Sequence, residues 1–193
     1  MFKYLKGLPL AIIFLSCNTN KTVIVADPPQ ETATYIPLKD FILGELAGLD
    51  TLQLTPLYTT TKNNKTDSLW MTKKDIRKFC IPFLISGTDT ITLKRYFSSR
   101  AFVDRSINAI TLSYDPKGAL PDSIPLRHCD IYIDPLTQTI KRLYMVVENK
   151  NVNHEMLQLT WKPGASAIIS TIGTATNENQ VKQEKMTWNF NVE

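Results

Sequence analysis

Between residues 37 and 84, hydrophobic residues recur at helical spacing along two stretches. The first stripe predicts a helix that begins after Pro37, and its members are Leu38, Phe41, Ile42, Leu46 and Leu49. The second predicted helix follows Thr72, a residue suited to an N-cap, and has Asp75 in its first turn. Pro82 ends or kinks this helix, because proline lacks a backbone donor. Each stripe is expected to face a core.

Elsewhere the period changes to two, which is typical of strands with one buried face. Residues 51–71 predict a β-hairpin, with Asn63 and Asn64 in a turn that favours residues tolerant of positive φ. Alternation after residue 94 is clearest in 110–114, 128–134, 143–147, 157–161, 166–173 and 186–192. The sequence therefore predicts an α+β fold: an antiparallel β-meander of six or more strands, with two N-terminal-half helices packed on one face.

A short apolar run near the N-terminus follows two lysines. Lys3 and Lys6 precede about eight apolar residues, which is the length of a signal-peptide core. A helix that spans a bilayer needs about 20, so no transmembrane span is expected here. The run ends in Phe14-Leu15-Ser16-Cys17, which resembles a lipobox, in which the cysteine is lipidated and becomes the first residue of the mature protein. The alternatives are an ordinary signal peptide or an accidental apolar start, with a cysteine in this place by chance.

The lipobox divides the chain into three segments. Residues 1–16 are predicted to be a lipoprotein signal peptide, 17–34 a lipidated cysteine and flexible tether, and 35–193 a single α+β domain. Acyl chains such as palmitate on Cys17 would hold the domain at a membrane. No aspartate follows Cys17, which implies the outer membrane, and no acidic run follows it, which favours the periplasmic face.

The charge balance argues against nucleic-acid binding. The formal net charge is +4, and two lysines leave with the predicted signal peptide, so that +2 remains. Nucleic-acid binding needs a clustered basic surface. We therefore expect no nucleic-acid partner. The remaining length is sufficient for one domain with a core of its own.

Cys80 and Cys129 are the cysteines of the predicted domain. Cys80 lies on the apolar stripe of the second helix and Cys129 on the apolar side of its strand, so both point into one layer. An oxidising periplasm permits a disulfide between them. The sequence lacks the C-x-x-C spacing that is expected of a metal or redox site. Two buried free thiols are the third alternative, because unpaired cysteine is common in cores.

The polar side of the predicted sheet carries the strongest candidate for an interaction surface. Its members are His128, Asp130, Tyr132 and Asp134 on one strand, and Arg142 and Tyr144 on the next. They share an outward face because strand residues two apart point the same way. An exposed strip of aromatic and charged residues can bind a partner. The ordinary wet side of a sheet has the same composition, so both interpretations stay open.

Catalytic chemistry is not indicated by the sequence. No G-x-S-x-G, P-loop or H-E-x-x-H pattern occurs. His128 and Cys129 are successive residues of a predicted strand and point to opposite faces, so they cannot form a nucleophilic pair. We expect no enzyme activity, no metal and no cofactor.

The segments IYIDPLTQTIKRLYM (131–145) and LQLTWKPG (157–164) follow the export signal, an early helix and a polar hairpin. This order resembles a large class of uncharacterised Bacteroidetes-type lipoproteins, and the resemblance implies an envelope protein. Two roles fit that implication. The first is a non-enzymatic binding module that meets an envelope protein partner through its sheet face or an edge strand. The alternative is a periplasmic carrier, in which the curved sheet and helices enclose a lipid or other apolar ligand.

Overall fold

Nine antiparallel strands form one sheet in the computed structural model, which describes residues 34–149, 155–172 and 181–190. These residues belong to one compact unit, Glu31–Glu193. The predicted signal peptide, Cys17 and the tether as far as residue 33 lie outside the described residues.

Three α-helices precede most of the sheet: α1 (Leu38–Asp50), α2 (Lys73–Phe79) and α3 (Thr90–Tyr96), with a short 3₁₀ helix at Ile81–Phe83. The strands are β1 (Leu57–Lys62), β2 (Lys65–Trp70), β3 (Phe97–Asp104), β4 (Ala109–Pro116), β5 (Leu126–Ile133), β6 (Ile140–Asn149), β7 (Glu155–Lys162), β8 (Ser166–Ile172) and β9 (Val181–Thr187). Their order in the sheet is β2-β1-β9-β8-β7-β6-β5-β4-β3. Strands β3 to β9 form the meander, and the hairpin of β1 and β2 extends it beside β9. The predicted α+β class and antiparallel meander are confirmed.

Both predicted helices are present. The buried residues of α1 are Leu38, Ile42, Leu46 and Leu49, which belong to the predicted stripe. At the start of α2 the Thr72 backbone N–H donates to Asp75 Oδ2 at 3.0 Å, as a capping box requires. Helix α2 ends at Phe79, and Pro82 lies in the 3₁₀ helix that follows. The proline therefore ends the α-helix as its missing N–H predicts.

The sequence pattern does not indicate the third helix. Helix α3 begins after Asp89, whose Oδ1 accepts a hydrogen bond from the Thr92 backbone N–H at 2.9 Å. Its first residues are Thr90, Ile91 and Thr92, which are β-branched and have low helix propensity. The side-chain cap and the burial of Leu93, which is 0 % exposed, stabilise the helix despite this propensity.

The hairpin is confirmed, and the last predicted strand begins and ends earlier than expected. Asn63 and Asn64 adopt φ values of 52° and 61° in the turn between β1 and β2. Strand β9 ends at Thr187, and the backbone N–H groups of Trp188 and Asn189 then donate to the Ala165 carbonyl at 3.0 and 3.2 Å. Residues 191–193, where the predicted strand ends, lie outside the described residues.

Large side chains fill the layer between the helices and the sheet. Trp161, Tyr114, Phe83 and Phe97 are each 0 % exposed. The Phe83 ring meets the edge of Trp161 with 5.5 Å between centroids, which connects the 3₁₀ helix to β7. Trp161 also contacts Trp188 with 5.3 Å between centroids. Protein side chains therefore occupy this layer at the described positions, where a carrier would need room for its ligand.

Cys80 and Cys129 are both free thiols, and both are buried in this core. Burial raises the pKa of Cys80 to about 12, and burial also raises the pKa of Cys129 well above its usual value. Neither thiol is therefore reactive in the folded protein. This arrangement is the third alternative, two buried free thiols, and no disulfide joins Cys80 to Cys129 in the structure.

Candidate functional site

Alternation along β5 separates the core from the opposite side of the sheet. Cys129 and Ile131 are 0 % exposed and belong to the core. His128, Asp130 and Tyr132 are half-buried on the other side, as their spacing predicts. We call a cluster of eight polar and aromatic side chains on this side of β3 to β6 the open face. Its members are Arg100, Ser113, Asp115, His128, Asp130, Tyr132, Arg142 and Tyr144.

Strand pairing brings these residues together from four strands. Arg100 on β3 pairs with Ser113 on β4, and Ser113 pairs with Asp130 on β5. Asp130 in turn pairs with Tyr144 on β6. A neighbouring row pairs Tyr132 with Arg142 in the same way. Side chains directly opposite one another in an antiparallel pair are in contact range, so the register itself builds the cluster.

His128 lies between two carboxylates at the centre of the open face. Its Nδ1 is 2.8 Å from Asp115 Oδ1, and its Nε2 is 3.0 Å from Asp130 Oδ2. Arg100 donates to the other oxygen of Asp115 at 2.9 Å. Two cations and two carboxylates therefore balance one another, and these charge-assisted hydrogen bonds fix the imidazole ring.

These contacts set the charge of His128. The hydrogen bond to Asp130, and then that to Asp115, raise the pKa of His128 to about 9 against the opposing effect of burial. Burial raises the pKa of Asp115 and Asp130, but the His128 hydrogen bonds, together with those of Arg100 to Asp115 and of Ser113 to Asp130, outweigh it and hold both carboxyl pKa values below their usual range. At neutral pH His128 is a cation whose two N–H groups donate. It is therefore not available as a general base.

The raised pKa makes this network a pH-dependent source of stability. Folding raises the pKa of His128 above the unfolded value of about 6.5. Its stabilising contribution is therefore complete below about pH 6.5 and is lost as the pH rises through about 9.

The aromatic side chains of the open face are positioned by the same network. The Arg142 guanidinium lies 4.0 Å from the centroid of the Tyr132 ring, in cation–π geometry. The Tyr132 hydroxyl donates to Asp130 Oδ2 at 3.4 Å. The Tyr144 ring meets the edge of the His128 ring with 6.4 Å between centroids. Contacts within the cluster thus fix the positions of Tyr132, Tyr144 and the stacked Arg142.

The structure places Asp134 in a turn and not on the open face. Strand β5 ends at Ile133, and Asp134 Oδ1 accepts the backbone N–H groups of Leu136 and Thr137 at 2.9 and 3.0 Å. These hydrogen bonds form the turn that Pro135 begins. The other five predicted surface residues lie together as expected.

Sequence reasoning missed Asp115, Arg100 and Ser113. Asp115 starts an Asp-Pro-Lys-Gly stretch, which predicts a turn from that residue. Strand β4 instead continues to Pro116 and pairs with Phe97, so Asp115 keeps its place on the polar side. Asp115 lies two residues after Ser113, and this spacing could have indicated that both side chains share a face of the strand. Its contact with His128 depends on strand pairing, which the local pattern does not contain.

Comparison with known proteins gives no further assignment. No protein family, curated protein or solved structure matches this chain. The function must therefore be argued from the residues themselves.

Within 34–149, 155–172 and 181–190, no helix combines the length and apolar character needed to cross a bilayer. Over the same ranges, no group of three or more His, Cys, Asp or Glu residues is arranged to hold a metal ion.

Proposed function

We propose that this protein is a lipid-anchored, non-enzymatic binding module of a bacterial envelope, and that the open face contacts its partner. The anchor is Cys17, and the proposed place is the periplasmic face of the outer membrane. The partner is an envelope protein. The observation that carries the proposal is the preorganisation of the open face: His128 and Arg100 are paired with Asp115 and Asp130, and the tyrosine rings are held by contacts within the protein.

Preorganised side chains favour binding because less ordering is needed when the partner binds. Ordering a flexible side chain at an interface costs about 0.5–1.5 kcal/mol. Tyr132, Arg142 and Tyr144 already have defined positions, so less of this cost remains to be met. Tyrosine and arginine are also the residue types that contribute most to binding energy at protein interfaces.

The charge state of His128 supports a binding role over acid–base catalysis. A general base must accept a proton at the working pH. His128 has a pKa of about 9 and donates both of its ring N–H groups to carboxylates. It therefore acts on its neighbours as a fixed cation that holds the cluster together.

The carrier alternative receives less support. A ligand enclosed between helices and sheet needs a cavity of about 300 Å³ or more. Helical side chains such as Leu38, Ile42 and Phe83 are instead 0 % exposed in a layer shared with Trp161. We therefore favour the side of the sheet that carries the open face as the functional one.

Site-specific photo-cross-linking in intact cells tests the proposal. Tyr144 is replaced by the photoreactive amino acid p-benzoylphenylalanine in the full chain, and the matched control carries it at Asp40, an exposed residue of α1. We expect a discrete protein adduct from position 144 and none from position 40. Because Tyr132 and Arg142 belong to the same surface, Tyr132→Ala together with Arg142→Ala should remove the adduct.

Three outcomes would overturn the proposal. They are the same adduct from both positions, no adduct from position 144, and an adduct that persists in the double variant. Folding of each variant is checked by its circular dichroism spectrum. A co-purified lipid of defined mass in native mass spectrometry would favour the carrier instead.

A further inference from the structure

A cleft opens at one end of the open face, where three turns of the meander come together. The turns join β3 to β4, β5 to β6 and β7 to β8, and they contribute Ile107, Thr139 and Pro163 to the walls. Tyr132 and Arg142 of the open face form the side nearest the cluster. The cleft has a volume of 360 Å³. This volume lies at the lower end of the usual range for ligand sites, which is about 300–1,000 Å³, and so indicates a small ligand.

The cleft has an excess of positive charge. Lys141, Arg142 and Lys162 line it, and no carboxylate does. Lys141 is partly compensated by Asp134, whose Oδ2 lies 3.8 Å from the lysine Nζ. Arg142 stacks on the Tyr132 ring, and neither Arg142 nor Lys162 forms an ion pair with another described residue. Neither cation is therefore held in an ion pair within the described part of the chain, although Arg142 lies near enough to Asp104 to help lower the pKa of that carboxyl.

The remaining walls are apolar. Ile107, Ala109, Ile140 and Pro163 supply hydrocarbon surface, and the Tyr132 ring adds an aromatic face. A site of this kind binds a ligand by burying its apolar part and fixes its orientation through a few charged groups. Arginine and lysine are the side chains that pair most readily with carboxylate, sulfonate and phosphate oxygens.

We propose that this cleft binds a small organic anion, with its acidic group between Arg142 and Lys162 and its aromatic or short apolar body against Ile107, Ile140 and Tyr132. The inference goes beyond the proposed function: the cleft lies beside the open face, and the small ligand is distinct from the protein partner. A free inorganic anion would leave the apolar walls unused. A neutral apolar molecule would leave both cations unpaired.

A matched pair of fluorescent probes tests the ligand class on the full chain. The first probe, 8-anilinonaphthalene-1-sulfonate, carries two aromatic parts and one negative charge. The second, N-phenyl-1-naphthylamine, has the same rings without the sulfonate. We expect saturable binding of the sulfonate probe and binding of the neutral probe that is weaker by about tenfold or more, because each recovered ion pair adds to the affinity.

Charge-neutralising variants locate the site. Arg142→Gln and Lys162→Gln should each lower the affinity for the sulfonate probe by about threefold or more. The double variant should lower it by about tenfold. The matched control is Lys185→Gln, because Lys185 is an exposed lysine of β9 outside the cleft. It should leave the affinity unchanged. Probe-induced shifts in the backbone amide spectrum should be centred on residues 139–142 and on Lys162.

Equal binding of the two probes, or equal loss of affinity in the Lys185 control, would overturn the inference. Amide shifts confined to other parts of the sheet would also overturn it. The cross-linking result is measured separately at Tyr144. A failed probe experiment with an intact Tyr144 adduct therefore rejects the ligand class alone, and loss of the adduct with intact probe binding rejects the protein partner alone.

Discussion

Replacing Trp161 with alanine should lower the free energy of unfolding by about 3–5 kcal/mol, as for other large aromatic residues in cores. Trp161 is 0 % exposed and contacts both Phe83 and Trp188. Its indole N–H has no hydrogen-bond partner among the described residues, so the expected loss is one of packing. Urea unfolding followed by circular dichroism measures the change, with the midpoint compared at constant m-value.

Trp70→Ala is the matched control for this substitution. Trp70 lies on edge strand β2, is 62 % exposed and contacts Phe190 alone among aromatic residues of the described chain. Removing the Trp70 side chain should lower the free energy of unfolding by less than about 1 kcal/mol. Equal losses for the two tryptophans would contradict the filled core, and with it the argument against an enclosed ligand.

Replacing Cys17 with serine should move the protein almost completely from the membrane fraction to the soluble fraction. A serine hydroxyl cannot receive the thioether-linked lipid that the lipobox predicts. A single acyl chain gives only marginal membrane binding, whereas two or three chains give durable attachment. Detergent-free lysis followed by sedimentation measures the distribution, and labelled palmitate should enter the unaltered chain but not the variant.

Cys80→Ala is the control for Cys17→Ser, because it removes a thiol that is buried in the core. Its distribution and its palmitate labelling should equal those of the unaltered chain. If the Cys17 variant sediments with the membranes as the unaltered chain does, the proposed anchor and location are rejected.

The parts of the fold that could be predicted are those that a local pattern encodes. One face of the sheet is buried, so polar and apolar residues must alternate, and β5 follows this rule from His128 to Tyr132. The stripe of α1 and the capping box of α2 are equally local. Helix α3 was missed because it depends on the Asp89 side chain and on burial of Leu93, which together outweigh an unfavourable run of β-branched residues.

The candidate site was predictable only in part, for a related reason. Parity along β5 and β6 identifies His128, Asp130, Tyr132, Arg142 and Tyr144. Asp130, which has the largest effect on the pKa of His128, lies on β5 itself, and pairing between distant strands adds Arg100 from β3 and Asp115 from β4. The charge of His128 therefore depends on one neighbour along its own strand, Asp130, and on one residue of the adjacent strand, Asp115.

The titration of His128 tests the central claim most directly, namely that a charged histidine between two carboxylates holds the open face. The chain contains one other histidine, His154, and His154→Gln leaves a single imidazole to follow by NMR. We predict a pKa of about 9 for His128, and a fall towards the usual value of about 6.5 in Asp130→Asn. A pKa at or below about 6.5 in the chain that retains Asp130 would contradict the account.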